Sequence, residues 1–444
     1  MTQTAQLVSE AGVAAVARRA REASRVLATL SAEARNEALL AAAEAIAESK
    51  ERILAANALD CRAAESAVAA GKMSAAMLAR LRVNERGAAQ MAAQVRGVAG
   101  LPDPLGRRLA ATELDHGLVL YKESCPLGVV GIVFESRPEV VPQVASLALK
   151  SGNALLLKGG SEAAHSNEAL VSIWRDALGR CPGLPQDSVN LLQTRAHVLE
   201  LLALERDVDL IIPRGSRELV EFVAKNSRIP VLGHGEGICH VYVDRAADLQ
   251  KAFGVTYDAK VQYPAVCNAA ETLLVDEAIA TAFLPEMVAK LKQGGVEIRG
   301  CPRTIALVPD AGIALATEED WSTEYSDLIL SVKIVSGLDA AIEHINRYGS
   351  RHTESIVTED AEAAARFMTE VDAAGVFQNA STRFADGYRY GFGAELGISN
   401  SKLHARGPMG LEGLTTYKFK LFGNGHTVAE YAKGEKKFTH RPLQ

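Results

Sequence analysis

The sequence predicts an α/β protein with two doubly wound domains and an arm of exposed β-strands. Three patterns predict this fold: a helical, alanine-rich start, two successive alternations of apolar strands with helices, and two stretches in which apolar and polar residues alternate. Strands that alternate with helices form βαβ units, and such units build a parallel sheet. A chain of 444 residues is long enough for two or three domains.

The composition is that of an ordinary globular protein, with 48% hydrophobic and 23% charged residues. The formal net charge of −6 offers no overall positive field to nucleic acid or to an anionic membrane. No apolar stretch is long enough to span a bilayer, and the N-terminus lacks the pattern of a signal peptide. The six cysteines show no paired or CxxC spacing. We therefore expect a cytoplasmic protein with reduced thiols, without a metal and without a nucleic-acid or membrane partner.

The helical start and the first alternation predict the first domain. Apolar residues recur at helical spacing in SAEARNEALLAAAEAIAESKERILAANALD, and the glycines that follow separate shorter helices. The strands of the first alternation are GVVGIVF, NALLLK, SVNLL, DVDLII, IPVLG and CHVYVD, which completes the series. We assign residues 1–108 and 125–235 to a cofactor-binding domain.

A second alternation begins after Ala246 and predicts the second domain. Its strands are ETLLV, VEIRG, LILSVKIV, ESIVT and GVFQN, and helices lie between most of them. Two doubly wound domains explain this pattern better than one oversized sheet. We assign residues 236–413 to a catalytic domain.

Two segments predict strands outside these domains. ATELDHGLVLYKES, at 111–124, alternates apolar and polar residues like a hairpin, and TTYKFKLFG near the C-terminus has the same character. Exposed strands of this kind pair with another strand. We therefore interpret 109–124 and 414–444 as an oligomerisation arm with a C-terminal segment, and we expect a homo-oligomer.

Two loops of the first domain have the chemistry to bind a dinucleotide, although the GxGxxG fingerprint is absent. In LLLKGGSEAAHS a strand ends at Lys158, and Ser161 precedes a helix, so both lie where open α/β sheets bind ligands. In DLIIPRGSRELV, Gly215 and Ser216 open a helix whose free N–H groups suit a pyrophosphate. The alternative is that both are ordinary connections between strand and helix.

One cysteine lies in a setting that suits a nucleophile. Cys267 precedes an apolar strand in VQYPAVCNAAETLLV, where the alanines leave room for a substrate and Asn268 offers a hydrogen-bond donor. A thiolate is a strong nucleophile once its pKa is lowered. The alternative is that Cys267 is an inert core residue.

Taken together, the segments resemble the aldehyde dehydrogenase superfamily over nearly the whole chain. They are, in order, GVVGIVFESRP, LLLKGGSE, PRGSREL, GHGEG, AVCNAAETLLV, TEYSD, VFQNASTRF and YGFGAELGIS. The resemblance implies an aldehyde dehydrogenase-like fold in which Cys267 is the catalytic cysteine and Lys158 contacts the adenosine ribose. It also implies that Gly215 and Ser216 form the cofactor phosphate loop, and that Glu324 contacts the nicotinamide ribose.

Two segments, AAIEHINRYGSRHTESIVTED and VFQNASTRFADGYRYGFGAELGIS, are most like the branch of the superfamily that reduces an acyl phosphate. This closer resemblance implies NADPH-dependent reduction of L-glutamyl 5-phosphate to L-glutamate 5-semialdehyde and phosphate, the second step of proline biosynthesis from glutamate. It implies a thioester on Cys267 and no metal. Glutamate 5-kinase, which would supply the acyl phosphate, is a candidate partner.

The resemblance also bears on the choice between NADPH and NADH. NAD-using relatives carry a glutamate three residues after the ribose lysine, and this chain has Ser161 there, with Glu162 one step on. Lys158 and Ser161 would then accept a 2′-phosphate as a charge-assisted pair. The opposite outcome requires Glu162 to swing back into the glutamate's place.

Two positions depart from the hydrolytic members of the superfamily. Gly233 stands where those enzymes have the glutamate that activates water, and Glu236 is displaced by three residues. Without a positioned base, the thioester is protected from water. The asparagine that helps to hold the oxyanion has no clean counterpart, and Arg137 or Ser136 is nearest to its place.

The substrate of such an enzyme carries a carboxylate and a phosphate, so cationic and hydroxyl groups should surround it. NASTRF supplies Asn379, Ser381, Thr382 and Arg383 at the end of a predicted strand. Arg137 is a second cationic candidate, and Arg383 could equally be a solvated loop residue. Two other functions stay open: an aldehyde-oxidising dehydrogenase for a free semialdehyde, and a cofactor-binding assembly protein without catalysis.

Overall fold

The computed structural model of the protein describes residues 3–233 and 235–443. The chain divides into two compact units. The first unit consists of Met1–Leu232, Gly393–Gly397 and Met409–Gln444, and the second consists of Gly233–Phe392 and Ile398–Pro408. The sequence analysis placed the catalytic domain at residues 236–413. In the structure the second unit begins earlier, and residues 393–397 and 409–413 belong to the first unit instead.

Helices make up the start of the first unit. They are α1 (Gln3–Leu27), α2 (Ala32–Glu48), α3 (Lys50–Ala69), α4 (Ala75–Leu81) and α5 (Glu85–Ala99). Side-chain caps set where three of them begin: Ser31 accepts a hydrogen bond from the N–H of Ala34, Ser74 accepts one from Met77, and Asn84 accepts one from Gly87. The apolar face is buried, as at Ile46, which is 0% exposed. Periodicity therefore predicted this part of the chain correctly.

The chain then forms a hairpin and a parallel sheet. The elements are β1 (Arg108–Asp115), β2 (Leu118–Pro126), β3 (Val129–Phe134), α6 (Val140–Lys150), β4 (Ala154–Lys158), α7 (Ala164–Gly179), β5 (Val189–Leu191), α8 (Ala196–Leu202), β6 (Leu210–Arg214) and α9 (Arg217–Asn226). The sheet has the order β5-β4-β3-β6, and its strands are parallel. Every residue of β3 and β4 is buried, as expected for a parallel sheet covered on both faces.

The prediction that IPVLG forms a further strand is wrong. Val231 forms only an isolated bridge to Ile211, flanked by two backbone hydrogen bonds. Pro230 has no N–H to donate, which limits how far this run can extend a ladder.

The second unit contains a seven-stranded parallel sheet with a small two-stranded ladder. Its elements are β7 (Cys239–Val243), α10 (Leu249–Val261), β8 (Ala270–Asp276), α11 (Glu277–Gln293), β9 (Glu297–Gly300), α12 (Pro302–Leu307), β10 (Ala314–Leu315), β11 (Ile329–Val335), α13 (Leu338–Tyr348), β12 (Thr353–Val357), α14 (Ala361–Glu370), β13 (Gly375–Gln378), β14 (Ile398–Ser399) and β15 (Gly407–Pro408). The order of the large sheet is β10-β9-β11-β8-β7-β12-β13.

The run CHVYVD, counted with the first alternation, is β7 and belongs to this second sheet. It pairs in parallel with β8 on one side and β12 on the other. All five of its residues are buried. An apolar run buried on both faces carries no mark of the sheet that it joins, which is why its pattern misled the assignment.

The C-terminal part of the chain completes a four-stranded antiparallel sheet in the first unit. It consists of β16 (Thr415–Phe422), α15 (Val428–Ala432) and β17 (Arg441–Leu443). The order is β16-β2-β1-β17, so the predicted hairpin and the predicted C-terminal strand pair with each other. Phe419 and Leu421 are 61% and 56% exposed on the edge strand β16. Across the described ranges, no helix is long and apolar enough to cross a membrane.

Candidate active site

Cys267 lies in the turn between α10 and β8, at the amino-terminal edge of the seven-stranded sheet. Its side chain is partly exposed. Gly237, just before β7, comes so close that a Cβ there would lie 2.4 Å from the Cys267 Cα. Only glycine permits this approach, so the backbone before β7 packs directly against the turn of Cys267.

The other cysteines are less suited to act as nucleophiles. Cys301 is buried in the core: burial alone would raise its pKa, but hydrogen bonds with Thr304 and nearby backbone groups lower it, and access rather than pKa sets it apart. None of the six, all within the described part of the chain, forms a disulfide. Burial raises the pKa of Cys61, Cys125 and Cys181. Cys239 is fully buried and donates its thiol to the Cys267 carbonyl at 3.3 Å, and burial raises its pKa strongly. A reactive cysteine needs an accessible thiolate, and the raised pKa of each of these four cysteines disfavours the thiolate.

The segment after β13 holds the turn of Cys267 in place. Thr382 donates its hydroxyl to the Asn268 carbonyl at 2.7 Å, and the Asn268 amide donates to the Ala385 carbonyl at 2.8 Å. Arg383 donates from Nε to Gln262 at the start of the same loop, at 3.0 Å. These bonds join residues on both sides of Cys267 to one segment of chain.

Arg383 adds a charge to this arrangement. Its side chain is mostly buried, and burial with the charge of Arg389 lowers its pKa, whereas a charge on Cys267 would act in the opposite direction. A cation held near a thiol favours the thiolate, which is the nucleophilic form. Of the residues predicted to bind substrate, Arg383 is therefore the best placed.

Asn379 and Ser381, also predicted to bind substrate, form hydrogen bonds within the fold. Asn379 accepts a hydrogen bond from the Thr358 N–H and donates to the Thr358 carbonyl, each at 3.0 Å, so it is tied to the loop after β12. That loop is at the carboxyl-terminal edge of the sheet, opposite Cys267. Ser381 accepts from the N–H of Arg383 at 3.3 Å and shapes the turn. The prediction used the strand end as its guide, but the thiol lies at the other edge.

Glu324 lies close to the thiol loop. Burial raises its pKa, the charge of Glu236 adds to this rise, and the backbone N–H of Gly237 acts against it. The predicted ribose ligand Glu324 is therefore influenced by the same backbone that approaches Cys267.

Sequence reasoning missed Lys260 and Glu271, whose side chains form a fully buried ion pair beside this loop. A signal was present: Glu271 is a carboxylate beside the apolar run of a predicted buried strand, and a buried charge needs a partner. The identity of that partner is not readable from the spacing.

In the first unit, Lys158 closes β4 and is mostly buried, and its ammonium donates to the Gly159 carbonyl. Burial lowers the pKa of Lys158, and the charge of Glu162 acts against that shift. Ser161 begins a short 3-10 turn and is exposed. Glu162 accepts hydrogen bonds from the N–H and the hydroxyl of Ser136, at 2.7 and 2.8 Å, so the Glu162 carboxylate is bonded to Ser136.

Gly215 and Ser216 stand at the amino end of α9, as expected. Ser216 caps this ten-residue helix by accepting a hydrogen bond from the Leu219 N–H. Its own N–H donates to a carboxylate oxygen of Glu135 at 2.8 Å, and a Cβ on Gly215 would lie 2.3 Å from the same oxygen. The loop therefore accommodates an anionic oxygen, which fits a dinucleotide phosphate if Glu135 gives way. Arg137 is exposed.

The chain is similar to known proteins over most of its length. Residues 1–299 match the model of the aldehyde dehydrogenase family. The chain is 56% identical over 423 residues to the γ-glutamyl phosphate reductase of Synechococcus sp. (strain JA-3-3Ab), covering 95% of this chain and 92% of that protein. It is 53% identical over 428 residues to the enzyme of the same name from Pelotomaculum thermopropionicum, covering 96% and 97%. The crystal structure of γ-glutamyl phosphate reductase from Thermotoga maritima matches with a TM-score of 0.90 and 45% identity, covering 94% of this chain and 99% of that one.

Proposed function

The chain belongs to the γ-glutamyl phosphate reductases of the aldehyde dehydrogenase family, and on that premise we propose how its residues carry out the reaction. The reaction is the reduction of L-glutamyl 5-phosphate to L-glutamate 5-semialdehyde and phosphate, in the biosynthesis of proline. We propose that it proceeds through a thioester on Cys267, with NADPH as the cofactor, and that the first unit binds the cofactor while the second performs the chemistry.

The observation that carries this mechanism is the partly exposed Cys267 in a turn that Thr382 and Arg383 hold. The thiolate attacks the γ-carbonyl carbon, the bond from that carbon to the phosphate oxygen breaks, and phosphate leaves and takes a proton from solvent. Donors such as the Cys267 N–H would stabilise the negative oxygen of the tetrahedral intermediate, each by about 3–4 kcal/mol. The carbon–sulfur bond breaks in the last step, which releases the aldehyde and regenerates the thiolate.

The cofactor would be held by Lys158 and Ser161 at the adenosine ribose, by Gly215 and Ser216 at the phosphates, and by Glu324 at the nicotinamide ribose. When bound, NADPH supplies the hydride that reduces the thioester. The Ser136 hydroxyl and N–H hold Glu162, which supports a preference for NADPH because this carboxylate then stays bonded within the protein. A kcat/KM for NADH equal to that for NADPH would contradict the preference.

The same site and the exposed edge strand support proposals about the substrate and the partners. The buried, cationic Arg383 supports a role in binding the substrate's carboxylate or phosphate, with Asn268 as a neighbour. The exposed edge of β16 supports a homo-oligomer. A direct complex with glutamate 5-kinase would deliver the labile acyl phosphate. We place the reaction in the cytoplasm, where a catalytic thiol stays reduced.

The reverse reaction tests this function, since Gly233 supplies no general base. With L-glutamate 5-semialdehyde and NADP, Cys267 should be acylated once and turnover should then stall. Phosphate should restore turnover by accepting the acyl group, and arsenate should do the same. A positioned base is worth about 10²–10⁴-fold, so water alone should compete poorly. The measurement is the absorbance of reduced cofactor over time.

Sustained formation of NADPH without phosphate or arsenate would sink this assignment and favour an aldehyde-oxidising dehydrogenase. Glu236 would then be the residue to examine, because its charge raises the pKa of the predicted ribose ligand Glu324. If phosphate-independent turnover is seen, Glu236→Gln should abolish it. Under our proposal, the Glu236→Gln variant should still require phosphate for turnover.

A further inference from the structure

A fully buried ion pair joins the helix before Cys267 to the strand after it. Lys260 lies near the end of α10, Glu271 lies near the start of β8, and both side chains are 0% exposed. The Lys260 Nζ and the Glu271 Oε2 are 2.5 Å apart. Because Cys267 lies in the short loop between these elements, the ion pair closes that loop at its base.

The same carboxylate also holds a second segment of chain. The N–H of Ser326 donates to the Glu271 Oε1 at 3.2 Å. Ser326 has a φ of 53°, in the left-handed region that most residues avoid, and it follows Glu324 closely in the turn before β11. Each oxygen of Glu271 therefore has its own partner, one on the cysteine loop and one on the Glu324 turn.

Glu324 is linked to the backbone that packs against Cys267. The N–H of Gly237 acts against the rise that burial causes in the pKa of Glu324, and a Cβ on Gly237 would lie 2.0 Å from the Cys267 carbonyl oxygen. The cysteine loop, the Glu324 turn and the segment at Gly237 thus form one connected assembly, with Glu271 between the first two.

Stability alone does not explain why these two charges are buried. Burial raises the pKa of Glu271 to about 7 and lowers the pKa of Lys260, so the fold opposes the charge on each. Buried ion pairs replaced by apolar residues of similar volume often leave a protein as stable or more so. A role in positioning neighbouring groups explains the charged pair, because apolar side chains could not form hydrogen bonds to those groups.

We propose that Lys260 and Glu271 are positioning residues that hold Cys267 and Glu324 in register for the reduction of the thioester. Lys260 fixes the orientation of the carboxylate, and the carboxylate fixes the Glu324 turn through the Ser326 N–H. The inference rests on the functions proposed above for Cys267 and Glu324, and its test includes a measurement that does not depend on activity.

Two double variants separate positioning from stability. Lys260→Met/Glu271→Met replaces the pair with apolar side chains and removes the acceptor for the Ser326 N–H. Lys260→Met/Glu271→Gln removes both charges but keeps an amide oxygen for that N–H. We expect both to unfold near the parent's temperature. If the methionine pair does not fold, Lys260→Met/Glu271→Leu replaces it.

The two variants should differ in activity. Misplacement by about 1 Å can cost about 10²-fold in rate, so the variant without an acceptor should lose at least about tenfold in kcat. Its KM for the cofactor should also rise, because Glu324 is no longer held. The glutamine variant should stay within about threefold of the parent in both constants.

Amide hydrogen exchange is the readout that is independent of catalysis. Peptides from the loop at 262–269 and the turn at 323–328 should exchange at least about tenfold faster in the methionine pair, and at the parent rate in the glutamine variant. The control is Lys251→Met/Glu359→Gln, which removes a solvent-exposed ion pair between the same helix and the loop after β12. It should change neither the exchange nor kcat.

Equal exchange in the two double variants would overturn the proposal, whether both match the parent or both are faster. Equal loss of kcat in both would overturn it as well, because the charges and not the hydrogen bond would then matter. A parent protein without phosphate-dependent turnover would instead contradict the proposed function, and the exchange comparison would still report on the ion pair.

Discussion

At the scale of single residues, Cys267 differs from the other thiols in its neighbours. It is partly exposed, as are Cys61, Cys125 and Cys181, whereas the adjacent Cys239 is buried and donates its thiol to a backbone carbonyl. The buried cation of Arg383 lies within electrostatic reach of Cys267. Nucleophilicity here depends on that setting more than on the presence of a cysteine.

We predict that Cys267→Ala lowers turnover by at least about 10³-fold, because no other group can form the thioester. Its melting temperature and its affinity for NADPH, measured by fluorescence titration, should stay near those of the parent. The control is Cys181→Ala, which removes a partly exposed cysteine of the first unit. Activity of Cys267→Ala within a few fold of the parent would refute the assignment.

Arg383→Met should slow the alkylation of Cys267 by iodoacetamide about tenfold at neutral pH, because the thiolate loses a nearby cation. The KM for the acyl phosphate should rise by a similar factor. The rate is followed by mass spectrometry of the peptide that contains Cys267. Arg366→Met, which removes an exposed arginine of α14, should leave the rate unchanged, and an unchanged rate in Arg383→Met would rule out its role.

At the scale of elements, the turn before β11 carries Glu324 and depends on Asp320. Asp320 accepts hydrogen bonds from Tyr325 at 2.7 Å and from Arg299 at 2.6 Å. Burial alone would raise the pKa of Asp320, but hydrogen bonds from Thr317, Arg299 and Tyr325 hold it well below its usual range. The anchored Tyr325 in turn places Glu324 on one side and Ser326 on the other.

Asp320→Asn should lower the free energy of unfolding by about 1–3 kcal/mol at neutral pH, because the buried partners lose a charged acceptor. The pKa is lowered in the folded state, so this stability is present above the ordinary aspartate range and is lost as pH falls below it. Urea unfolding at about pH 7 and about pH 3 measures the difference, because the loss begins only below the ordinary aspartate range. A gap between parent and variant that grows toward acid would contradict this sign.

At the scale of the whole molecule, the antiparallel sheet of the first unit ends in β16, a long edge strand with exposed aromatic and aliphatic side chains. A monomer that displays such an edge risks pairing with other chains. The arrangement therefore favours a partner strand from a second copy of the chain, in line with the oligomer proposed above.

Phe419→Glu/Leu421→Lys should shift the protein toward the monomer, as measured by light scattering after size-exclusion chromatography. Charges on an edge strand oppose pairing with another chain. Leu199→Asp, which changes an exposed leucine on α8, is the control and should keep the parent mass. A parent that is already monomeric, or a variant with an unchanged mass, would refute the role of the arm.

The sequence by itself determined the elements, the candidate nucleophile and the family. Apolar periodicity and turn residues act over a few neighbouring positions, so they predicted the helical start, most strands of both sheets and the hairpin at 111–124. The turn of Cys267 and the loop at Gly215 and Ser216 were found in the same way.

Tertiary structure decided what depends on strand order and on distant contacts. It assigned β7 to the second sheet, put Asn379 at the edge opposite Cys267, and paired Lys260 with Glu271 across the cysteine loop. The physical reason is that a parallel sheet brings together residues far apart in the chain, and which of them meet depends on how strands order and cross over. Local patterns report burial and periodicity, but not the partner against which a residue is buried.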